Sequence, residues 1–80
     1  MTSEEFRVIL PDIGLTRYSA AKFLGVDRMT PYRYSAGVHP VPGPTAKLLR
    51  LMRALRLSPA DVDAFIANAE PANDLGPLTD

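Results

Sequence analysis

Apolar residues recur along the chain at spacings of three and four residues, and strict apolar/polar alternation over five or more positions is rare. Spacings of three and four are typical of amphipathic helices, whereas alternation is typical of strands. The sequence therefore predicts an all-α protein. Five segments carry the helical spacing, and we place them at about 3–10, 17–24, 28–36, 44–56 and 59–69.

Capping residues and prolines set the predicted helix boundaries. Thr16 and Ser58 are typical N-cap residues, and Gly25 follows the second segment, where helices commonly end in a left-handed conformation. Pro11 favours an end of the first helix just before it, because proline removes a backbone donor. A kinked continuation to Ile13 remains open.

The start of the third helix has two interpretations. We favour a helix capped by Asp27, which keeps Pro31 and Tyr34 on the buried side at helical spacing. Proline at the fourth helical position costs one backbone hydrogen bond, however, and Thr30 with Pro31 also makes an acceptable cap and first residue. In that second interpretation Arg28 precedes the helix and reaches out from a loop.

The fourth and fifth predicted helices carry more apolar residues than one small core requires. The main stripe of the fourth helix consists of Leu48, Leu51, Met52 and Leu55, and Leu49 widens it. We expect an apolar face of the fifth helix to be buried as well. A chain of 80 residues has a marginal core, and burial against a second copy would stabilise it. The expected homodimer interface consists of Leu49, Met52, Val62, Phe65 and Ile66.

Charge is distributed unevenly, although nine basic and nine acidic residues give a formal net charge of zero. Residues 13–56 contain eight Lys and Arg against a single acid, Asp27, and the flanking segments are acidic. A basic centre favours a surface that binds phosphate, and solvated helix faces are the alternative interpretation. We expect a helical domain over residues 1–70 and a mobile acidic tail over 71–80.

Residues 17–37 read RYSAAKFLGVDRMTPYRYSAG. With Ala21 as a small residue within the first helix and Gly25 in the turn, this segment resembles the helix-turn-helix of the Cro and lambda-repressor-like (XRE-type) family of small bacterial and phage regulators. Pro31 departs from that motif, which usually has Val or a similar residue there. The apolar residues that match its clamping positions are Ala20, Leu24, Val26 and Tyr34. The resemblance spans about residues 3–57 and implies a compact five-helix, lambda-repressor-like domain.

The resemblance implies a transcriptional regulator that binds specific sequences in double-stranded DNA. Its third helix would lie in the major groove, and a two-fold dimer would bind a pseudo-palindromic operator with half-sites about 34 Å apart. So small a domain most simply represses transcription by occupying a promoter, including its own. The expected base-reading residues are Arg28, Met29, Thr30, Tyr32 and Arg33. The expected phosphate contacts are Arg17, Lys22, Ser35, His39, Lys47 and Arg50.

Other functions find less support in the sequence. His39 is the only histidine and cysteine is absent, so no Cys/His zinc site exists, and no residues are spaced as a catalytic triad. We therefore expect neither an enzyme nor a metal or cofactor. Without an apolar run of about 20 residues or a signal-peptide pattern, we expect a cytoplasmic protein. The alternative function is a helix-turn-helix module that binds an unidentified protein partner.

Overall fold

The computed structural model describes residues 1–69, which form five α-helices. The helices are α1 (Ser3–Asp12), α2 (Arg17–Leu24), α3 (Thr30–Ala36), α4 (Gly43–Leu55) and α5 (Pro59–Ala69). The predicted all-helical class is confirmed for this part of the chain, and the expected tail at 71–80 lies outside it. None of these five helices has the length and apolar character that crossing a bilayer requires.

Helix α1 is the centre of the hydrophobic core. It packs against α3 and α4, while α2 packs against α3. Phe6 is completely buried, and its ring meets that of Tyr34 from α3 edge to face, with 5.4 Å between centroids and 82° between planes. The buried cluster consists of Phe6, Ile9, Leu10, Ile13, Leu15, Ala20, Tyr34, Val41, Ala46, Leu49 and Met52.

Helix α1 continues one residue beyond Pro11, so the predicted end before the proline is wrong. The burial of Ile13 and Leu15 holds the following turn in place. The Ile13 amide donates to the Ile9 carbonyl at 3.2 Å. The Leu15 amide donates to the Leu10 carbonyl at 2.8 Å. Core packing thus offsets the backbone hydrogen bond that the proline removes.

Helix α2 begins and ends where the sequence predicts. The Thr16 hydroxyl accepts a hydrogen bond from the Ser19 amide at 3.0 Å, and the Ser19 hydroxyl accepts one from the Thr16 amide at 2.9 Å. These two bonds complete a capping box. Gly25 ends the helix in the left-handed conformation, with φ at 71°. Ser58 and Asp61 form a corresponding reciprocal pair at the start of α5.

Helix α3 begins at Thr30, so the favoured start after Asp27 is wrong and the alternative start at Pro31 is one residue late. Pro31 takes the second helical position, where its missing amide proton breaks no bond within the helix. Asp27 organises the preceding turn instead. Its carboxylate accepts a hydrogen bond from the Met29 amide and its carbonyl accepts one from the Thr30 amide, both at 2.9 Å. Pro31 and Tyr34 are buried, as predicted.

The apolar stripe of α4 divides between the core and the surface. Leu49 and Met52 are completely buried, whereas Leu51 and Leu55 are 51% and 59% exposed. The prediction that Leu49 and Met52 form a dimer interface is therefore wrong, because both side chains already lie in the core of the single chain. The two exposed leucines are the surplus apolar residues of this helix.

Helix α5 has no buried residue, so its predicted buried face is wrong. Val62 packs half-buried against the core cluster, but Phe65 and Ile66 are 60% and 49% exposed. The principal helix contacts within residues 1–69 do not include α5. Of the three α5 residues predicted for a dimer interface, Phe65 and Ile66 are thus the ones left accessible.

We expect Leu49→Ala to lower the free energy of unfolding by about 2–5 kcal/mol, because it leaves a cavity at a completely buried position. Leu51→Ala is the matched control on the same helix, and it should change that free energy by less than about 0.5 kcal/mol because its side chain is half exposed. Urea denaturation followed by circular dichroism measures both values. Equal losses of unfolding free energy in the two variants would contradict the assignment of Leu49 to the core and Leu51 to the surface.

Candidate nucleic-acid interface

One exposed surface of α2 and α3 carries the residues predicted to contact bases. Helix α3 buries Pro31, Tyr34 and Ser35, and helical spacing turns its other side chains away from the core. The start of α2 lies beside this side of α3. We call this surface the outer face, and its residues are Arg17, Tyr18, Arg28, Met29, Thr30, Tyr32 and Arg33.

Arg17 links the two helices of the outer face. It is the first residue of α2, and its guanidinium carbon lies 5.0 Å from the centre of the Tyr32 ring of α3, within the range of a cation–π interaction. Stacked in this way, a guanidinium still has donors at its edge for a phosphate oxygen. Arg17 therefore both orients Tyr32 and remains suited to its predicted phosphate contact.

Arg28 and Arg33 are exposed, and acidic side chains of residues 1–69 engage their guanidinium donors only weakly. The Nη1 atom of Arg33 lies 3.8 Å from Oδ2 of Asp27, and these side chains are 45% and 67% exposed, so the pair is weak. Among residues 1–69, no acidic side chain forms an ion pair with Arg28. Both guanidinium groups are thus available to an external acceptor.

Ser35 does not belong to the outer face, and the prediction that it contacts phosphate is wrong. The residue is 4% exposed, and its hydroxyl donates to the Pro31 carbonyl at 2.9 Å. The Ser35 carbonyl accepts a hydrogen bond from Nη1 of Arg7, which ties α1 to the second half of α3. The sequence gives no signal for Arg7, because its partner lies 28 positions further along the chain.

Three of the remaining predicted phosphate contacts come from different parts of the chain. Lys22, His39 and Lys47 are exposed, in α2, after α3 and in α4 respectively. Lys22 lines a separate groove together with Phe23 and Pro59, on the side of the molecule where α5 begins. All three side chains are accessible to phosphate. The backbone of His39 adjoins the outer face, because its amide donates to the Arg33 carbonyl at 3.4 Å.

Arg50 is held by α1. Its Nε and Nη2 atoms donate to the two carboxylate oxygens of Glu5, both at 2.9 Å, and Arg53 approaches the same carboxylate at 3.8 Å. The hydrogen bonds between Arg50 and Glu5 lower the pKa of Glu5 and raise the pKa of Arg50. A phosphate would have to compete with Glu5 for the donors of Arg50.

A shallow groove of about 220 Å³ lies within the outer face. Its walls are the side chains of Tyr18, Arg28, Met29 and Tyr32. Tyr18, which is 74% exposed, is not among the predicted contacts, because the spacing of α2 alone does not show which of its polar positions lie next to α3. The groove brings apolar surface and an arginine together at one exposed place.

Comparisons with protein-family models, with curated proteins and with solved structures give no match for this chain. The resemblance to lambda-repressor-like regulators accordingly stays a prediction. The functional interpretation of the outer face rests on its own residues and geometry.

We expect the protein to lose stability as the pH falls through the pKa of Glu5, because Arg50 holds that pKa below its ordinary value of 4.5. A group with a lowered pKa in the folded state stabilises that state above its unfolded pKa, and the contribution disappears as the carboxylate is protonated. Glu5→Gln should remove this part of the acid dependence. Glu4→Gln, the control in the same helical turn, leaves the pair intact and should behave like wild type.

Thermal melting at several acidic pH values measures how the melting temperature depends on pH for wild type, Glu5→Gln and Glu4→Gln. A Glu5→Gln variant with the same loss of melting temperature on acidification as wild type would contradict a stabilising role for the pair.

Proposed function

We propose that this protein is a regulator that binds specific sequences in double-stranded DNA as a homodimer, with α3 in the major groove of a lambda-repressor-like helix-turn-helix, and that it most simply acts as a repressor. The outer face is the observation that carries the proposal. There Arg17, Arg28 and Arg33 surround exposed apolar and aromatic side chains at the beginning of a helix whose opposite side is buried. This arrangement suits an anionic ligand that also has flat, partly apolar surfaces.

Phosphate contacts account for the affinity in this proposal. Residues 1–69 contain nine basic and six acidic residues, so this part of the chain has a surplus of positive charge. Neutralising DNA phosphates releases condensed counterions and makes binding strongly dependent on salt. Arg17 stands at the amino terminus of α2, where a nearby phosphate would also meet the positive end of the helix dipole. Lys22, His39 and Lys47 are secondary candidates for such contacts.

Base contacts account for the specificity. The guanidinium groups of Arg28 and Arg33 can each donate two hydrogen bonds to O6 and N7 of a guanine in the major groove. Arg28 precedes the first turn of α3 and Arg33 lies within the helix, so they would contact different base pairs. Thr30 is half-buried at the first helical position, where its hydroxyl suits a base or a neighbouring phosphate.

Selection from a random-sequence duplex library tests the proposal, and we expect it to enrich a two-fold motif at physiological salt. On the enriched duplex, Arg28→Ala with Arg33→Ala should raise Kd at least about 30-fold, because two bidentate base contacts are lost. Arg53→Ala with Arg56→Ala is the control, since it removes the same charge from the end of α4. Fluorescence anisotropy measures Kd for each protein, and circular dichroism checks that each is folded.

Failure of a folded wild-type protein to enrich any sequence would overturn the proposal. Equal losses of affinity in the two double variants would show that charge alone matters, and would remove the base-reading role of the outer face.

The exposed side of α5 supports the homodimer. An 11-residue helix is marginal in water by its own hydrogen bonds, and α5 has no fully buried residue, although Val62 packs half-buried against the core. Covering Phe65 and Ile66 with the same side chains of a second copy would remove their apolar surface from water. A two-fold pair then presents two α3 helices to half-sites about one DNA turn apart. Leu51 and Leu55 of α4 offer further exposed apolar area.

We expect Phe65→Glu to shift the protein from dimer to monomer at micromolar concentration, because a charge at the centre of an apolar contact is costly to bury. Ala64→Glu is the matched control: it adds the same charge to α5 on the side away from Phe65 and Ile66, and should leave the dimer intact. Sedimentation velocity measures the oligomeric state of both variants. A monomeric wild type at high micromolar concentration that still binds its site would contradict the dimer.

The same exposed side of α5 supports a second candidate function, a module that binds another protein. Duplex binding by the arginine variants distinguishes this protein-binding function from the DNA-binding function. A protein-binding module would not bind any duplex specifically. The double variant Arg28→Ala with Arg33→Ala would then have no specific DNA affinity to lose.

A further inference from the structure

The groove in the outer face has an unusual combination of properties for an exposed site. Tyr18 and Met29 are 74% and 45% exposed, and together with Tyr32 they give the groove apolar walls. Arg28 forms part of its rim. Exposing a large apolar side chain to water gains nothing in the free chain. Two exposed ones beside the half-buried Tyr32, around one depression, indicate a surface that is covered when the ligand is bound.

The size and surroundings of the groove limit what it can hold. Its volume of about 220 Å³ lies below the roughly 300–1,000 Å³ of typical small-molecule pockets, and it is shallow. It is also surrounded by cations, with Arg17 stacked on Tyr32 and Arg28 at the rim. The complementary ligand is therefore anionic as a whole and carries a small apolar group that projects from its surface.

The major groove of DNA presents one such group. The phosphate backbone is anionic, and the C5 methyl group of thymine is the apolar group that base edges expose there. Met29 is flexible and polarizable, which suits contact with a methyl group whose position varies slightly between sites. On the rim, Arg28 has the donors for a guanine beside that thymine.

We propose that the groove formed by Tyr18, Met29 and Tyr32 receives the C5 methyl group of one thymine in each half-site, while Arg28 binds the adjacent base pair. This inference rests on the proposed function. Arg17 acts in it as a positioning residue, because its guanidinium lies against Tyr32 and fixes one wall of the groove.

Replacing each thymine of the enriched duplex in turn by deoxyuridine tests the proposal, since this change removes only the methyl group. We expect a single position per half-site at which Kd rises about fourfold, the value for losing one buried methyl group. Met29→Ala should bind the thymine and deoxyuridine duplexes with nearly equal Kd. Val38→Ala shortens another exposed apolar side chain, outside the groove, and should keep the fourfold ratio.

Two results separate this inference from the function on which it rests. Specific duplex binding with no deoxyuridine effect at any position, or an effect that Met29→Ala leaves unchanged, would overturn the methyl site and leave the DNA-binding function standing. A library selection with no enriched sequence would overturn the function itself and the methyl site with it.

Discussion

The edge-to-face contact between Phe6 and Tyr34 is the interaction on which the rest of the structure depends. Helix α3 has seven residues, too few for stability by its own hydrogen bonds, and its position is set by the side chains it buries against α1. The Arg7 side chain adds a hydrogen bond to the Ser35 carbonyl, one residue further along each helix from this contact. Because α2 packs on α3, this one interface fixes the outer face as well.

Local signals account for the parts of the fold that the sequence predicts correctly. The capping box at Thr16, the left-handed Gly25 and the start of α5 after Ser58 involve residues within a few positions of each other. Their geometry therefore depends little on the remaining chain. The burial of Tyr34 was equally predictable, since helical spacing places it with Pro31 on one side of α3.

The features that the sequence does not predict depend on tertiary packing. Periodicity identifies a broad apolar stripe on α4, but it does not show that Leu49 is buried in the core while Leu51 faces water. Pro11 would end an isolated helix, yet the burial of Ile13 carries α1 past it. The groove beside Tyr18 depends on how α2 lies against α3, which no local pattern specifies. The sequence thus indicates which segments form the outer face, but Ser35, predicted to lie on it, is buried on the opposite side of α3.

The central claim is that the outer face of α2 and α3, rather than the exposed side of α5, contacts DNA. Backbone amide chemical shifts of the folded protein, recorded while an enriched duplex is added, test it most directly. The account predicts the largest shifts at Arg17, Tyr18, residues 28–30, Tyr32 and Arg33, with smaller ones along α5. Shifts concentrated in α5 while the amides of residues 28–30, Tyr32 and Arg33 stay unchanged would contradict it.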